Sequence, residues 1–70
     1  MLIMLTPDDI REIRFRTRLN MAEFGKLVGV SEATVSYWES GKKHPRYATA
    51  IRLNQIRNEQ QKRLANTAGV

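Results

Sequence analysis

The sequence predicts an all-α fold: four or five short helices packed into one compact domain. Three observations carry that expectation. Capping residues stand at Thr6, Asn20 and Ser31, each opening a run of helix-forming residues. Glycines stand where two of those runs should stop, at Gly29 and Gly41. Apolar residues recur three and four apart, the period of a helix, rather than in the alternation of a strand.

In the first helix Thr6 is the N-cap and Pro7 takes the first helical position, where a missing N–H breaks no bond. Asp8 and Asp9 complement the positive end of the helix dipole. Ile10 and Ile13 form the buried face, Arg14 and Thr17 lie beside them, and the helix ends near Arg18. Asn20 opens the second helix, with Glu23 three residues on as in a capping box. Its buried stripe is Phe24, Leu27 and Val28, and Gly29 stops it. Ser31 caps a third helix, 31–40, in which Val35 and Trp38 face inward and Gly41 closes the end. Lys42, Lys43 and His44 make a polar connection, and Pro45 marks the next start. Tyr47, Ala50, Ile51 and Leu53 read as a fourth helix. Ile56 and Leu64 either continue that stripe or belong to a fifth helix, since no Pro or Gly interrupts residues 46–68. Asn66 to Val70 are expected to fray.

Seventy residues are enough for one domain, 1–70, and too few for two. A chain this short buries only about 60% of its unfolded surface. Such a core supplies roughly 3–5 kcal/mol unless a disulfide, a metal or a second subunit adds to it. With no cysteine, one histidine and two aspartates, disulfides and thiolate metal sites are excluded, and no cofactor is expected. A partner subunit is the remaining support. An enzyme fails on the same inventory. His44 has no nucleophile or acid placed by a motif, and Gly41-Lys42-Lys43 lacks the rest of a phosphate-binding loop.

Charge is divided unevenly. Residues 1–40 hold five basic and six acidic groups, net −1, whereas residues 41–70 hold seven basic groups and only Glu59, net +6. A basic half points to a polyanion, either nucleic acid or an anionic membrane surface, or else to a solvated surface that aids solubility. No segment approaches the roughly 20 apolar residues of a membrane span. The apolar start Met1 to Leu5 lacks a positive flank and a cleavage site, so a cytoplasmic location is expected. The basic tail from Arg57 through Arg63 carries too little apolar surface to lie on a membrane.

Two short helices joined by a tight glycine-containing turn, the second capped by serine, have the spacing of a helix-turn-helix. The stretch Asn20-Met21-Ala22-Glu23-Phe24-Gly25-Lys26-Leu27-Val28-Gly29-Val30-Ser31 runs on into Glu32-Ala33-Thr34-Val35-Ser36-Tyr37-Trp38-Glu39-Ser40-Gly41. It resembles the DNA-binding domain of the lambda repressor and Cro family, the XRE-type helix-turn-helix. Gly29-Val30-Ser31, Val35-Ser36 and Trp38-Glu39-Ser40-Gly41 carry the likeness, with Arg14 and Pro45 in register. It covers roughly residues 7–53, leaving 1–5 as an apolar arm and 54–70 as a basic C-terminal helix and tail.

The resemblance implies a compact lambda-repressor-like domain that binds double-stranded DNA. Gly25 falls where the family takes a small residue, usually alanine, because the two helices pack closely there. Arg14 and Glu39 match an Arg and a Glu that pair across the domain, which makes their role structural. Positions 32, 33 and 37 match the family's main base-contacting positions, and Ser31 matches one that often contributes. With Val35 and Trp38 inward, the opposite face presents Glu32, Ala33, Ser36 and Tyr37. Glu32 can accept from a cytosine amino group, Ala33 can touch a thymine methyl, and Tyr37 can donate to a base or a phosphate. The candidates for phosphate contact are Asn20, Thr34, Ser36, Lys42, Lys43 and Arg46. Where the family often has a phosphate-gripping glutamine this chain has Met21, which cannot serve, and Lys42 and Lys43 are placed to compensate.

Family members usually pair, setting two recognition helices about 34 Å apart in successive major grooves. Tyr47, Ile51, Ile56 and Leu64 are the favoured pairing surface. The alternative is the arm Leu2-Ile3-Met4-Leu5, which otherwise packs on its own first helix or is dispensable if Met4 is the start. The leading functional expectation is a dimeric, sequence-specific repressor of phage, prophage or small-operon type, acting on an inverted-repeat operator. The rival is an antitoxin or other protein-binding module that also binds its own promoter, with residues 54–70 available for the partner.

Overall fold

The computed structural model describes residues 5–68, with side chains through Arg63. All regular structure in that span is helical, in the order α1 (Pro7–Thr17), α2 (Met21–Val28), α3 (Glu32–Ser40) and α4 (Tyr47–Ala68). The first three helices begin as their capping residues dictate. Asp9 N donates to Thr6 Oγ1 at 3.1 Å while Thr6 N donates to Asp9 Oδ2 at 3.0 Å. Glu23 N donates to Asn20 Oδ1 at 2.8 Å, and Asn20 N returns a bond to Glu23 Oε1 at 3.0 Å. At α3, Thr34 N donates to Ser31 Oγ at 3.2 Å. Each of these bonds satisfies an N–H that the helix itself leaves without an acceptor. The same three helices end on left-handed residues: Arg18 at φ 63°, Gly29 at φ 81° and Gly41 at φ 82°.

The core is one cluster drawn from every element. Leu5, Ile10, Ile13, Phe24, Val28, Val35, Trp38 and Leu53 are buried together, and Leu19, Met21, Val30 and Ile56 pack around them. Leu5 therefore belongs to its own chain's core, while the rest of the apolar arm, residues 1–4, lies outside the described residues. Leu27 departs from the expected stripe and is 42% exposed. Phe24, Gly25 and Val28 centre the buried face of α2, which puts Leu27 on its rim. Met21, in the glutamine position, is turned to the cluster rather than outward.

Helices α2 and α3 approach so closely that the turn leaves no room at Gly25. A Cβ built there would lie 2.6 Å from the carbonyl oxygen of Val30. That contact and the bond from Val30 N to Gly25 O, at 2.8 Å, fix how α3 leaves α2.

Among the described residues there is no fifth helix. Residues 47–68 form one continuous helix, because nothing in the span breaks it. The helix as described runs to Ala68, and residues 69 and 70 of the expected fraying tail lie outside the described residues. The expected pairing stripe is also divided. At about 100° per residue, Ile56 lies half a turn round the helix from Tyr47. Ile56 follows Ala50 and Leu53 against the core, while Tyr47 is 70% exposed and Ile51 half-buried on the other side. The Leu64 side chain lies outside the described residues. The second half of α4 is joined to α1 by polar contacts: Gln60 Nε2 donates to Ile13 O at 2.9 Å, and Arg57 lies 3.9 Å from Asp9.

Candidate nucleic-acid interface

Helix α3 owes its two faces to its nine-residue length and its neighbours. Val35, Trp38 and Glu39 are buried, while Ser31, Glu32, Ala33 and Tyr37 are exposed and Ser36 is half-buried. The exposed set begins at the N-terminus of the helix, where backbone N–H groups and the dipole also point outward. Ser31 Oγ already accepts from Thr34 N and lies 3.0 Å from Thr34 Oγ1. Glu32 as a carboxylate only accepts. Ala33 offers a methyl group and no polar demand.

The other end of α3 is fixed from inside. Arg14 Nε donates to Glu39 Oε2 at 2.6 Å and Arg14 Nη2 donates to Glu39 Oε1 at 2.9 Å, a two-pronged pair across the domain. A third donor, Nη1, reaches Leu19 O at 3.3 Å. The two side chains keep only 13% and 5% of their exposure. The Arg14 guanidinium is held above its ordinary pKa by the hydrogen bonds to Glu39, with burial acting the other way and the Glu39 charge assisting. Phe15, itself 65% exposed, lies with its ring 5.1 Å from the guanidinium and covers it from that side. One arginine thus locks α1, the loop before α2 and the end of α3 together, and the exposed face of α3 is presented on a rigid base.

Cations gather behind and beyond this face. Among the described residues α3 makes no close backbone approach to α4. Between them opens a groove of about 450 Å³ lined by Gly29, Val30, Thr34, Trp38, Lys43, His44, Arg46 and Thr49. Three of the predicted phosphate-contacting residues, Thr34, Lys43 and Arg46, therefore share one groove, which contains no carboxylate. His44 and Thr49 complete it. Thr49 carried no sequence signal, because a polar residue on a polar helix face stands out in no pattern. Lys42 lies beside the groove, near the Tyr37 ring. Asn20 stands apart at the start of α2, where its Oδ1 is used as the cap and its amide N–H groups face outward from an exposed residue.

Among the described residues no group of His, Cys, Asp and Glu is arranged to hold a metal, and no helix is long and apolar enough to cross a membrane. Comparisons with curated proteins and with solved structures give no match. A family model described as helix-turn-helix matches residues 10–56, well over half of the chain and all of the α2–turn–α3 unit. The buried Arg14–Glu39 pair, the close turn at Gly25 and the outward N-terminal face of α3 all fall inside that match, and the chain belongs to the XRE-type, lambda repressor/Cro-like helix-turn-helix family of DNA-binding transcription regulators.

Proposed function

We propose that this chain is a sequence-specific repressor of phage, prophage or small-operon type, a cytoplasmic homodimer that excludes polymerase from its own or a neighbouring promoter. One observation carries the reading: a rigidly backed α3 turns Ser31, Glu32, Ala33, Ser36 and Tyr37 outward beside a groove of cations. In this reading those five residues meet base edges in the major groove, while Asn20, Thr34, Lys42, Lys43 and Arg46 meet phosphates. Glu32 repels the backbone, so it discriminates between sequences more than it adds affinity. If a dimer neutralises about six to eight phosphates, log affinity falls against log salt with a slope of roughly −5 to −7.

The pairing surface proposed is the outward side of α4 at Tyr47 and Ile51. Ile56, committed to the core, supports it only from beneath. Tyr47→Glu should leave a monomer in sedimentation, whereas removal of residues 1–4 should leave a dimer; the reverse pattern transfers pairing to the arm.

Selection of bound duplexes from a random DNA pool tests the whole reading. An enriched inverted repeat with half-sites about one helical turn apart supports it. A pool that enriches nothing, together with a small protein that co-purifies stoichiometrically, replaces it with the antitoxin reading.

A further inference from the structure

Tyr37 is tied to the segment that follows it through both its backbone and its side chain. Its carbonyl accepts the N–H of Lys42 at 2.9 Å, the N–H of Lys43 at 3.3 Å and the hydroxyl of Ser40 at 3.2 Å. Its ring meets the side chains of the same two lysines, with Lys43 Nζ 5.1 Å and Lys42 Nζ 6.0 Å from the centroid. Two ammonium groups gathered at one ring repel each other, so their position needs a cause. The electron-rich ring face attracts both, and so does the partly negative C-terminal end of α3. The hydroxyl of Tyr37, by contrast, bonds to nothing among the described residues.

We propose that Tyr37 is a positioning residue for DNA binding, whose ring holds Lys42 and Lys43 as a ready-made pair of phosphate anchors at the end of the recognition helix. A free lysine loses rotamer freedom when it grips a phosphate. A lysine already laid against a ring whose backbone is fixed by the same residue has less to lose. The inference rests on α3 facing DNA, and it is independent of whether the Tyr37 hydroxyl reads a base. The ring acts through the lysines; the hydroxyl acts alone.

The test uses a mixed-sequence duplex, on which base reading averages out and phosphate contacts remain. Binding is measured against salt for the full chain, Tyr37→Leu, Tyr37→Phe and Lys42→Ala/Lys43→Ala. Tyr37→Leu should weaken binding about three- to fivefold, the worth of an exposed cation–ring contact. It should also shallow the slope of log affinity against log salt by about one per protomer. Tyr37→Phe, which keeps the ring, should keep the slope. In the chain lacking both lysines, Tyr37→Leu should cost nothing further. A slope unchanged by Tyr37→Leu, an equal loss with Tyr37→Phe, or an undiminished loss in the lysine-free chain each overturns the proposal. Without DNA, the ring should displace the Lys43 side-chain methylene resonances upfield in the full chain and in Tyr37→Phe; undisplaced resonances in the full chain also overturn it. Operator selection that succeeds while these results fail removes only the platform, whereas a full chain that binds no duplex removes the DNA reading with it.

Discussion

Between Thr6 and Gly41 every helix end is fixed by a local device, whereas α4 runs unbroken for 22 residues after a loop. The first region is close to neutral and is locked by a buried ion pair; the second holds most of the positive charge and is fastened at one end by Ala50 and Leu53 and further along by an amide. The difference separates two ways of building a helix. Short helices need caps because each lacks the length to be stable alone, and α1, α2 and α3 are of that kind. A long helix needs only a buried stripe and the absence of a breaker. The first region is therefore expected to set the geometry of the interface, and α4 to close the core and carry charge.

The sharpest way to break the first region is at its ion pair. Glu39→Ala leaves the sheltered Arg14 without its opposite charge and with only the Leu19 carbonyl as acceptor, and a broken buried pair costs about 3–5 kcal/mol. In a domain whose own core supplies only about 3–5 kcal/mol, that change should remove most of the stability and lower the urea midpoint steeply. The exposed pair Arg16–Glu12, at 2.7 Å, gives the contrast. Breaking it should cost under about 1 kcal/mol. Urea unfolding of Arg14→Ala, Glu39→Ala and the double variant measures the coupling directly, and additive losses would mean the pair does not act as a unit.

Next in size is the anchor of α4. Leu53 is fully buried, and Leu53→Ala should cost about 2–5 kcal/mol through lost contacts and the cavity left behind. If α4 only closes the core, the helical content of α1 to α3 should survive in the residual structure seen by hydrogen exchange. Loss of all protection at once would make the two regions one cooperative unit.

Gly25→Val tests the turn. Its branched side chain must displace the Val30 carbonyl, which is backbone and cannot swing aside. Overpacking of this kind costs about 1–3 kcal/mol, more than the better helix propensity of valine returns. A thermal midpoint equal to that of the parent chain would show that the turn yields freely.

Gln60 is the counterpart in α4. Its Nε2 donates to Ile13 O, but its Oε1 is buried without a partner. Gln60→Ala should therefore cost about 1 kcal/mol at most, since the bond it loses is set against an unsatisfied acceptor it removes. A loss as large as that of Leu53→Ala would make the polar contact between α4 and α1 an anchor in its own right.

Much of the capped region was legible in the sequence because its signals are local. Thr6, Asn20 and Ser31 cap by chemistry that acts within four residues, and Gly29 and Gly41 stop helices by a backbone preference. Phe24, Val28, Val35 and Trp38 followed from periodicity. Long-range facts were less accessible. The Arg14–Glu39 contact spans 25 residues and was suggested only by family likeness. Leu27 looked like core because hydrophobicity says nothing about which edge of a short helix a neighbour covers. In α4 the apolar residues Tyr47, Ile51 and Ile56 looked like one surface, yet helix geometry divides them, and a glutamine takes a place against α1. The groove that gathers Thr34, Lys43, Arg46 and Thr49 exists only because α3 and α4 diverge, which no local pattern encodes.

The smallest expected effect concerns the one helix end in the capped region that is not closed by glycine. Arg18 takes the left-handed conformation at φ 63°, where a Cβ crowds the carbonyl and costs roughly 1–2 kcal/mol. Glycine relieves that crowding but frees the unfolded chain, which returns about 0.4–1 kcal/mol of the gain. Arg18→Gly should therefore stabilise the domain by about 0.5 kcal/mol, a rise of a few degrees in its melting midpoint. The substitution also removes an exposed cation two residues before Asn20, at the side of the domain where α2 begins. If the more stable variant binds mixed-sequence duplex less tightly and with a shallower salt slope, the capped region too contributes charge to the interface, and its strained end is compensated by a phosphate contact. If binding is unchanged, the division holds: the first region supplies rigidity, and the cations that matter lie after Gly41.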